Sequence, residues 1–416
     1  MPRLQLIVTL ALILSACEGD LSGGPDAGLR SPIDAGSAAE AQPTPDASSD
    51  ATAPPADAPP DAGGDAQSPS QDAKLSPDAE PPLDAKPPTP DTTPPKDISF
   101  PPPPPPCAST GSSCSADLVL GKGKVTYWRS YALDAPNAQV TRGVVVVHGS
   151  SLNADDYFGY VVSSAKAAGV LSSTVVVAPR FPESAGANDE LYWGSEWRSG
   201  DDGSAPNGAT ISSFGVLDAI ATKLGDPSTF PKLSTIVVTG HSAGGQFAQR
   251  YGAAGKSSPA GVVMRYVPAN PSSYLYFNDH RRVNGVFVNS GSAFSACSSY
   301  DNYKYGLKNR SGWPYLASQS DSVLKGSYFS RVVVYLIGDA DTCNSDLDST
   351  CDDHGLAKSC SAMLQGDHRY ERGQNYWLHI NKYFAGHPHQ LKVIPGVAHS
   401  GNQMFNSPGG RAALFN

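Results

Sequence analysis

The chain has 416 residues, 39% of them hydrophobic and 17% charged, with a formal net charge of −9. Its acidity is local: residues 18–106 carry sixteen Asp/Glu against four Lys/Arg, whereas residues 107–416 carry 23 against 25. With no basic block to neutralise phosphates, a nucleic-acid partner is excluded. No apolar run reaches the roughly 18 residues that a membrane-spanning helix needs, which excludes a polytopic membrane protein.

Taken in chain order, the first segment is 1–17. Arg3 supplies a positive start, Leu4–Leu14 a short apolar stretch, and Ser15 and Ala16 the small residues of a cleavage site. The sequence Leu14-Ser15-Ala16-Cys17 resembles the lipobox of a bacterial lipoprotein. That resemblance implies cleavage before Cys17 and acylation of its new N-terminus. The protein is then exported and membrane-anchored through Cys17, on the periplasmic or cell-surface side, with several acyl chains giving a stable hold.

Residues 18–106 hold 23 of the 37 prolines and a single aromatic residue, Phe100. Units such as Pro25-Asp26-Ala27, Pro45-Asp46-Ala47 and Pro77-Asp78-Ala79 recur. Such a composition buries too little apolar surface to offset the entropy of ordering, so a disordered, extended linker is expected. The run Pro101–Pro106 is expected to form a polyproline II rod.

Beyond the linker lies one domain, 107–416. Its six cysteines, Cys107, Cys114, Cys297, Cys343, Cys351 and Cys360, form an even set in a chain expected to be exported, which indicates up to three disulfides. A Cys107–Cys114 loop is one candidate pair; another lies among Cys343, Cys351 and Cys360, with Cys297 taking the third. None has the CxxC spacing of a thiolate zinc site, so no metal is expected there.

Strands are predicted at Val125–Tyr131, Gly143–His148, Thr174–Ala178, Thr235–Thr239, Val262–Val267, Arg331–Ile337 and Leu391–Ile394. Continuous apolar runs such as Val144-Val145-Val146-Val147 suit strands covered on both faces of a mostly parallel sheet. Ile211, Phe214, Leu217, Ile220 and Leu224 fall on one helical face, with Thr210 as the expected N-cap. This alternation predicts an α/β fold, a central sheet flanked by helices. Segments 182–209 and 270–328, rich in Gly, Ser, Asn and aromatics, interrupt it and read as loop insertions over the active-site end of the sheet.

The chemistry concentrates at one point. The predicted strand Thr235–Thr239 runs into Gly240-His241-Ser242-Ala243-Gly244-Gly245, followed by a helical stretch. A G-x-S-x-G between strand and helix forces so tight a turn that glycine is needed two residues to either side of the serine. This resembles the nucleophile elbow of the α/β-hydrolase superfamily, and the likeness extends over about residues 120–416. The superfamily order of serine, acid and histidine, each after a later strand, implies Ser242, Asp341 and His399 as catalytic residues. Asp339 is the alternative acid, or else a loop-capping residue. The resemblance further implies oxyanion donors at the N–H groups of Ala243 and of Ser150, in the turn His148-Gly149-Ser150-Ser151.

The expected function is therefore that of a serine hydrolase, foremost a carboxylesterase acting on a small-molecule or polymer ester. Amide or peptide hydrolysis on the same triad is one alternative; a hydrolase-like domain that binds a surface glycan, polymer or protein without turnover is another. No Rossmann fingerprint and no P-loop is present, so no cofactor is expected. Trp193, Trp197 and Tyr274 are candidates for lining the substrate pocket. The acidic stretch from Asp339 to Asp353 matches no EF-hand and reads as a solvated loop. His148, His241, His354, His368, His379, His387 and His389 read as turn or surface residues.

Overall fold

The computed structural model describes residues 103–416; Cys17, the segment before it and the linker up to 102 lie outside the described residues. Eight strands form one sheet: β1 (Ser115–Leu120), β2 (Gly123–Arg129), β3 (Arg142–Val147), β4 (Thr174–Pro179), β5 (Thr235–His241), β6 (Val263–Ala269), β7 (Val332–Gly338) and β8 (Gln390–Ile394). Their spatial order is β1-β2-β4-β3-β5-β6-β7-β8. β1 and β2 are antiparallel and β2 meets β4 antiparallel, while every pairing from β4 to β8 is parallel.

The valine runs place the sheet between two cores. Side chains alternate along a strand, so Val145 and Val147 enter one core and Val144 and Val146 the other. Val175 and Val177 against Val176 and Ala178, and Ile236 and Val238 against Val237, divide the same way. One core is closed by α2 (Ser213–Leu224), α3 (Ala243–Ala254), α4 (Asp321–Ser330) and α5 (Arg369–Tyr383). The other is closed by α1 (Ala154–Ala167), α6 (Gly401–Asn406) and α7 (Pro408–Phe415).

Three details differ from the sequence expectation. β1 carries no strong apolar signal because it is an edge strand with one buried residue, Leu118; it is fixed by pairing with β2 across a two-residue turn. β2 begins and ends two residues earlier than the predicted Val125–Tyr131. The N-cap of α2 is Ser212, whose side chain accepts from the Phe214 N–H, and not Thr210; residues Thr210–Ser212 instead pair with Asp202–Ser204 as a small hairpin.

The disulfides are Cys107–Cys114, Cys297–Cys360 and Cys343–Cys351. The first closes a small loop at the N-terminal boundary of the described domain. The second ties the 270–328 segment to the chain after β7. The third closes the loop that begins just past Asp341.

Candidate active site

Ser242 sits between β5 and α3 with φ +61° and ψ −119°, a strained conformation for a residue with a side chain. The surroundings over-determine it. A Cβ on Gly240 would lie 2.5 Å from the Gly244 backbone, and one on Gly244 would lie 2.1 Å from the Val147 carbonyl oxygen. Only glycines at both places let β5, α3 and the end of β3 approach this closely. The Ser242 N–H donates to the Ala269 carbonyl at 3.0 Å, which fastens the elbow to the end of β6. Ala243 then opens α3, so its N–H is one of the free donors of that helix N-terminus.

The other donor segment follows β3. His148 is fully buried; its Nε2 accepts from the Phe181 N–H at 3.0 Å, so Nδ1 carries the proton and donates to the Gly149 carbonyl at 2.8 Å. Burial pushes the His148 imidazole down to about 4, which keeps it neutral. Ser150 follows at the exposed rim of the same cleft.

Asp341 and His399 come from the ends of β7 and β8. His399 Nδ1 donates to Asp341 Oδ2 at 2.7 Å, and the carboxylate is 2% exposed. Burial lowers the His399 pKa below its ordinary value, and the Asp341 hydrogen bond opposes that shift. Asp339 does something else: its Oδ1 accepts from the Gly396 N–H at 2.7 Å, pinning the loop that leads to His399.

Ser242, His399, Ser150 and His241 line one cleft of about 370 Å³. Among the described residues the Ser242 hydroxyl makes no closed hydrogen bond to His399. The arrangement puts a serine, an imidazole with Nε2 unencumbered and a buried carboxylate at the C-terminal ends of β5, β7 and β8. No group of three or more His, Cys, Asp or Glu able to hold a metal occurs among the described residues.

The aromatic candidates belong to the core and not to the cleft. Trp193 and Trp197 are buried, with their indole N–H groups donating to the Ile211 carbonyl and to Glu183. Tyr274 is fully buried and stacks on Tyr376 at 4.6 Å. Large rings with little polar surface gain more from this packing than from a wet cleft. Trp197 still bears on the site, since it packs 4.6 Å from the His148 ring beneath the Ser150 turn. Neither segment 182–209 nor segment 270–328 contributes a lining residue; the walls come from 149–160, 354–355 and 399–402.

Several residues that hold the site carry no local signal. Asn270, in left-handed conformation directly after β6, accepts at Oδ1 from the Gly338 N–H at 2.8 Å and donates through Nδ2 to the Ala398 carbonyl at 3.4 Å. Its own N–H donates to the Leu336 carbonyl. The fully buried Arg369 guanidinium lies 3.7 Å from Asp341 Oδ1 and donates to the carbonyls of Asp353 and His354. The Tyr157 hydroxyl reaches Nδ1 of His241 at 3.3 Å, and the His241 ring lies 4.4 Å from that of His399. The histidines read as turn or surface residues thus divide: His148, His241, His379 and His389 are buried, and His354 is exposed beside His399. A solitary histidine in a sequence does not reveal which of these it is.

The strand order, the parallel β3–β8 core and the serine elbow after β5 define the α/β-hydrolase fold, and this chain has it. A poly(aspartic acid) hydrolase from Sphingomonas sp. KT-1 is similar in structure, at 21% identity and a TM-score of 0.50, over 73% of this chain and 98% of that one. A poly(3-hydroxybutyrate) depolymerase from Bordetella parapertussis is 20% identical with a TM-score of 0.48, over 70% of this chain and 86% of that one. No protein-family model matches the chain, and no curated protein matches it significantly.

Proposed function

We propose that this protein is a serine hydrolase that cleaves carboxylic esters, exported and held to a membrane through acylated Cys17. The observation that carries the reading is the 2.7 Å His399–Asp341 hydrogen bond in the cleft that also holds the strained Ser242. In this mechanism His399 Nε2 takes the Ser242 proton as Oγ attacks the ester carbonyl. The N–H groups of Ala243 and Ser150 stabilise the oxyanion of the tetrahedral intermediate. His399 returns the proton to the departing alkoxide, leaving an acyl-enzyme. Water, deprotonated by the same imidazole, then releases the acid and frees Ser242.

The likeness to a structure named as a hydrolase agrees with this reading. The linker 18–106 would serve as a spacer between the lipid and the catalytic domain 107–416.

The test is labelling of the chain by a fluorophosphonate beside Ser242→Ala. Labelling of the wild type alone supports an activated serine. Equal absence of label in two folded proteins favours a non-catalytic binding domain. Matched acetate ester and acetamide substrates then separate esterase from amidase. For the anchor, metabolic incorporation of labelled fatty acid should be lost in Cys17→Ala.

A further inference from the structure

The loop after Asp341 carries a second imidazole into the cleft. His354 and Gly355 line it, and the His354 ring stacks on His399 at 5.4 Å and 22°. Its side chain is 50% exposed, so burial does not explain its placement. The backbone there is left-handed, φ +50°, which a residue with a side chain adopts only when the surroundings impose it. They do so at several points. Asp352 Oδ1 accepts from the His354 N–H at 2.8 Å, and Arg369 Nη2 donates to the His354 carbonyl at 3.0 Å. The same guanidinium lies beside Asp341, so one buried cation sets the acid and this imidazole together. Lys358 braces the loop on Asp346 and Asp353, and the Cys343–Cys351 disulfide closes its first part.

Nδ1 of His354 faces Asp352 Oδ2 at 3.2 Å, and among the described residues Nε2 has no partner. An imidazole whose Nδ1–H is held by a carboxylate presents Nε2 to a ligand as a hydrogen-bond acceptor. The rest of the cleft agrees with a polar ligand. None of its fourteen lining residues bears an aliphatic side chain, and Ser151, Asn153, Ser400 and Asn402 present hydroxyl and amide groups around the reacting centre.

Resting on the ester-hydrolase reading above, we infer that His354 is a specificity-determining residue. Its Nε2 accepts a hydrogen bond from a hydroxyl that the substrate carries within a few atoms of the scissile carbonyl, so that the preferred substrate is a short hydroxyacyl ester. The Tyr157 and Tyr160 rings are the main apolar surface that a long aliphatic acyl chain would meet.

The experiment compares two near-isosteric esters on the full chain, p-nitrophenyl glycolate and p-nitrophenyl propionate, which differ by a hydroxyl in place of a methyl. The reading is the ratio of their kcat/KM values, and how that ratio changes on mutation, because the intrinsic reactivity of each ester cancels in the comparison. His354→Gly and His354→Asn both suit a left-handed backbone and remove the imidazole. The expected result is a ratio about five- to tenfold lower in both variants than in the wild type, the loss of one hydrogen bond. An unchanged ratio in both active variants overturns the role of His354 and leaves the hydrolase reading standing. A wild type that cleaves neither ester and takes no fluorophosphonate overturns both.

Discussion

His399 Nδ1 donates to Asp341 Oδ2 at 2.7 Å, while Asp339, two residues earlier on the same turn, spends its carboxylate on the Gly396 N–H. The geometry separates two acids that sequence spacing leaves close. Fixing the proton on Nδ1 leaves Nε2 as an acceptor, the tautomer a general base needs. Asp341→Asn presents an amide that imposes the opposite tautomer and should lower kcat by about 10³–10⁴-fold with the fold intact. Asp339→Asn keeps an oxygen for the Gly396 N–H and should stay within about threefold of wild type. Steady-state kinetics on one p-nitrophenyl ester decide it, and the reverse ranking would make Asp339 the acid.

The pH profile follows from the same pair. A general base works only when neutral, and burial lowers the His399 pKa from 6.5. The acid limb of kcat/KM should therefore have its midpoint below pH 6.5. The Asp341 bond opposes the shift, so Asp341→Asn should move the midpoint further down while reducing the plateau. A midpoint above 6.5 in the wild type would contradict the assignment of His399.

Asn270 ties together the ends of β6 and β7 and the loop that carries His399. Asn270→Ala leaves the Gly338 N–H without its acceptor and puts alanine into a left-handed conformation that asparagine tolerates better. The cost should be about 1–3 kcal/mol of stability. Because the linkage sets the segment that leads into His399, kcat should fall. A fall in stability with unaltered kcat would reduce Asn270 to a scaffold residue.

The parts of this architecture that were readable in the sequence are those fixed by local rules. The valine runs of β3, β4 and β5 read as covered strands, and Gly240 and Gly244 announced the elbow because no other residue fits there. Ser242, Asp341 and His399 each follow a readable strand. β1 was invisible because its pairing with β2, not its own pattern, makes it a strand. Trp193, Trp197 and Tyr274 were misplaced because an aromatic residue looks alike in a pocket and in a core. Asn270, Arg369 and His354 act across long stretches of chain, and no local spacing encodes that.

The Cys343–Cys351 bridge begins two residues beyond Asp341 and closes a loop with a sequence separation of 8. Cys343→Ser with Cys351→Ser should cost about 2 kcal/mol through restored freedom of the unfolded chain. The consequence for activity should be larger than that cost implies, since the loop continues into His354 and Arg369 anchors both to Asp341. Thermal unfolding and kcat measured on the same double variant separate these effects. A kcat equal to wild type, with only Tm lowered, would show that the loop's geometry survives without the bridge.

His379 offers a prediction independent of catalysis. Both its ring nitrogens are buried without hydrogen-bond partners among the described residues, and the ring packs against Tyr276 at 4.6 Å and Tyr383 at 5.0 Å. Burial, reinforced by the Arg281 charge, pushes its pKa from 6.5 down to about 2. In the fold it stays neutral; in the unfolded chain it takes up a proton as the pH falls below about 6.5. The unfolded state therefore binds more protons throughout that range. Stability that is full above pH 6.5 is lost as the pH falls, by about 2 kcal/mol between pH 6.5 and 5. His148 and His389, both pushed down to about 4, add slopes of the same sign. His379→Leu removes this residue's contribution and two unpaired buried nitrogens. Relative to wild type it should gain about 2 kcal/mol more at pH 5 than at pH 8 in urea unfolding. The difference between the two proteins isolates His379 from the other histidines, and an equal ΔΔG at both pH values would mean that its imidazole is solvated or protonated in the native state.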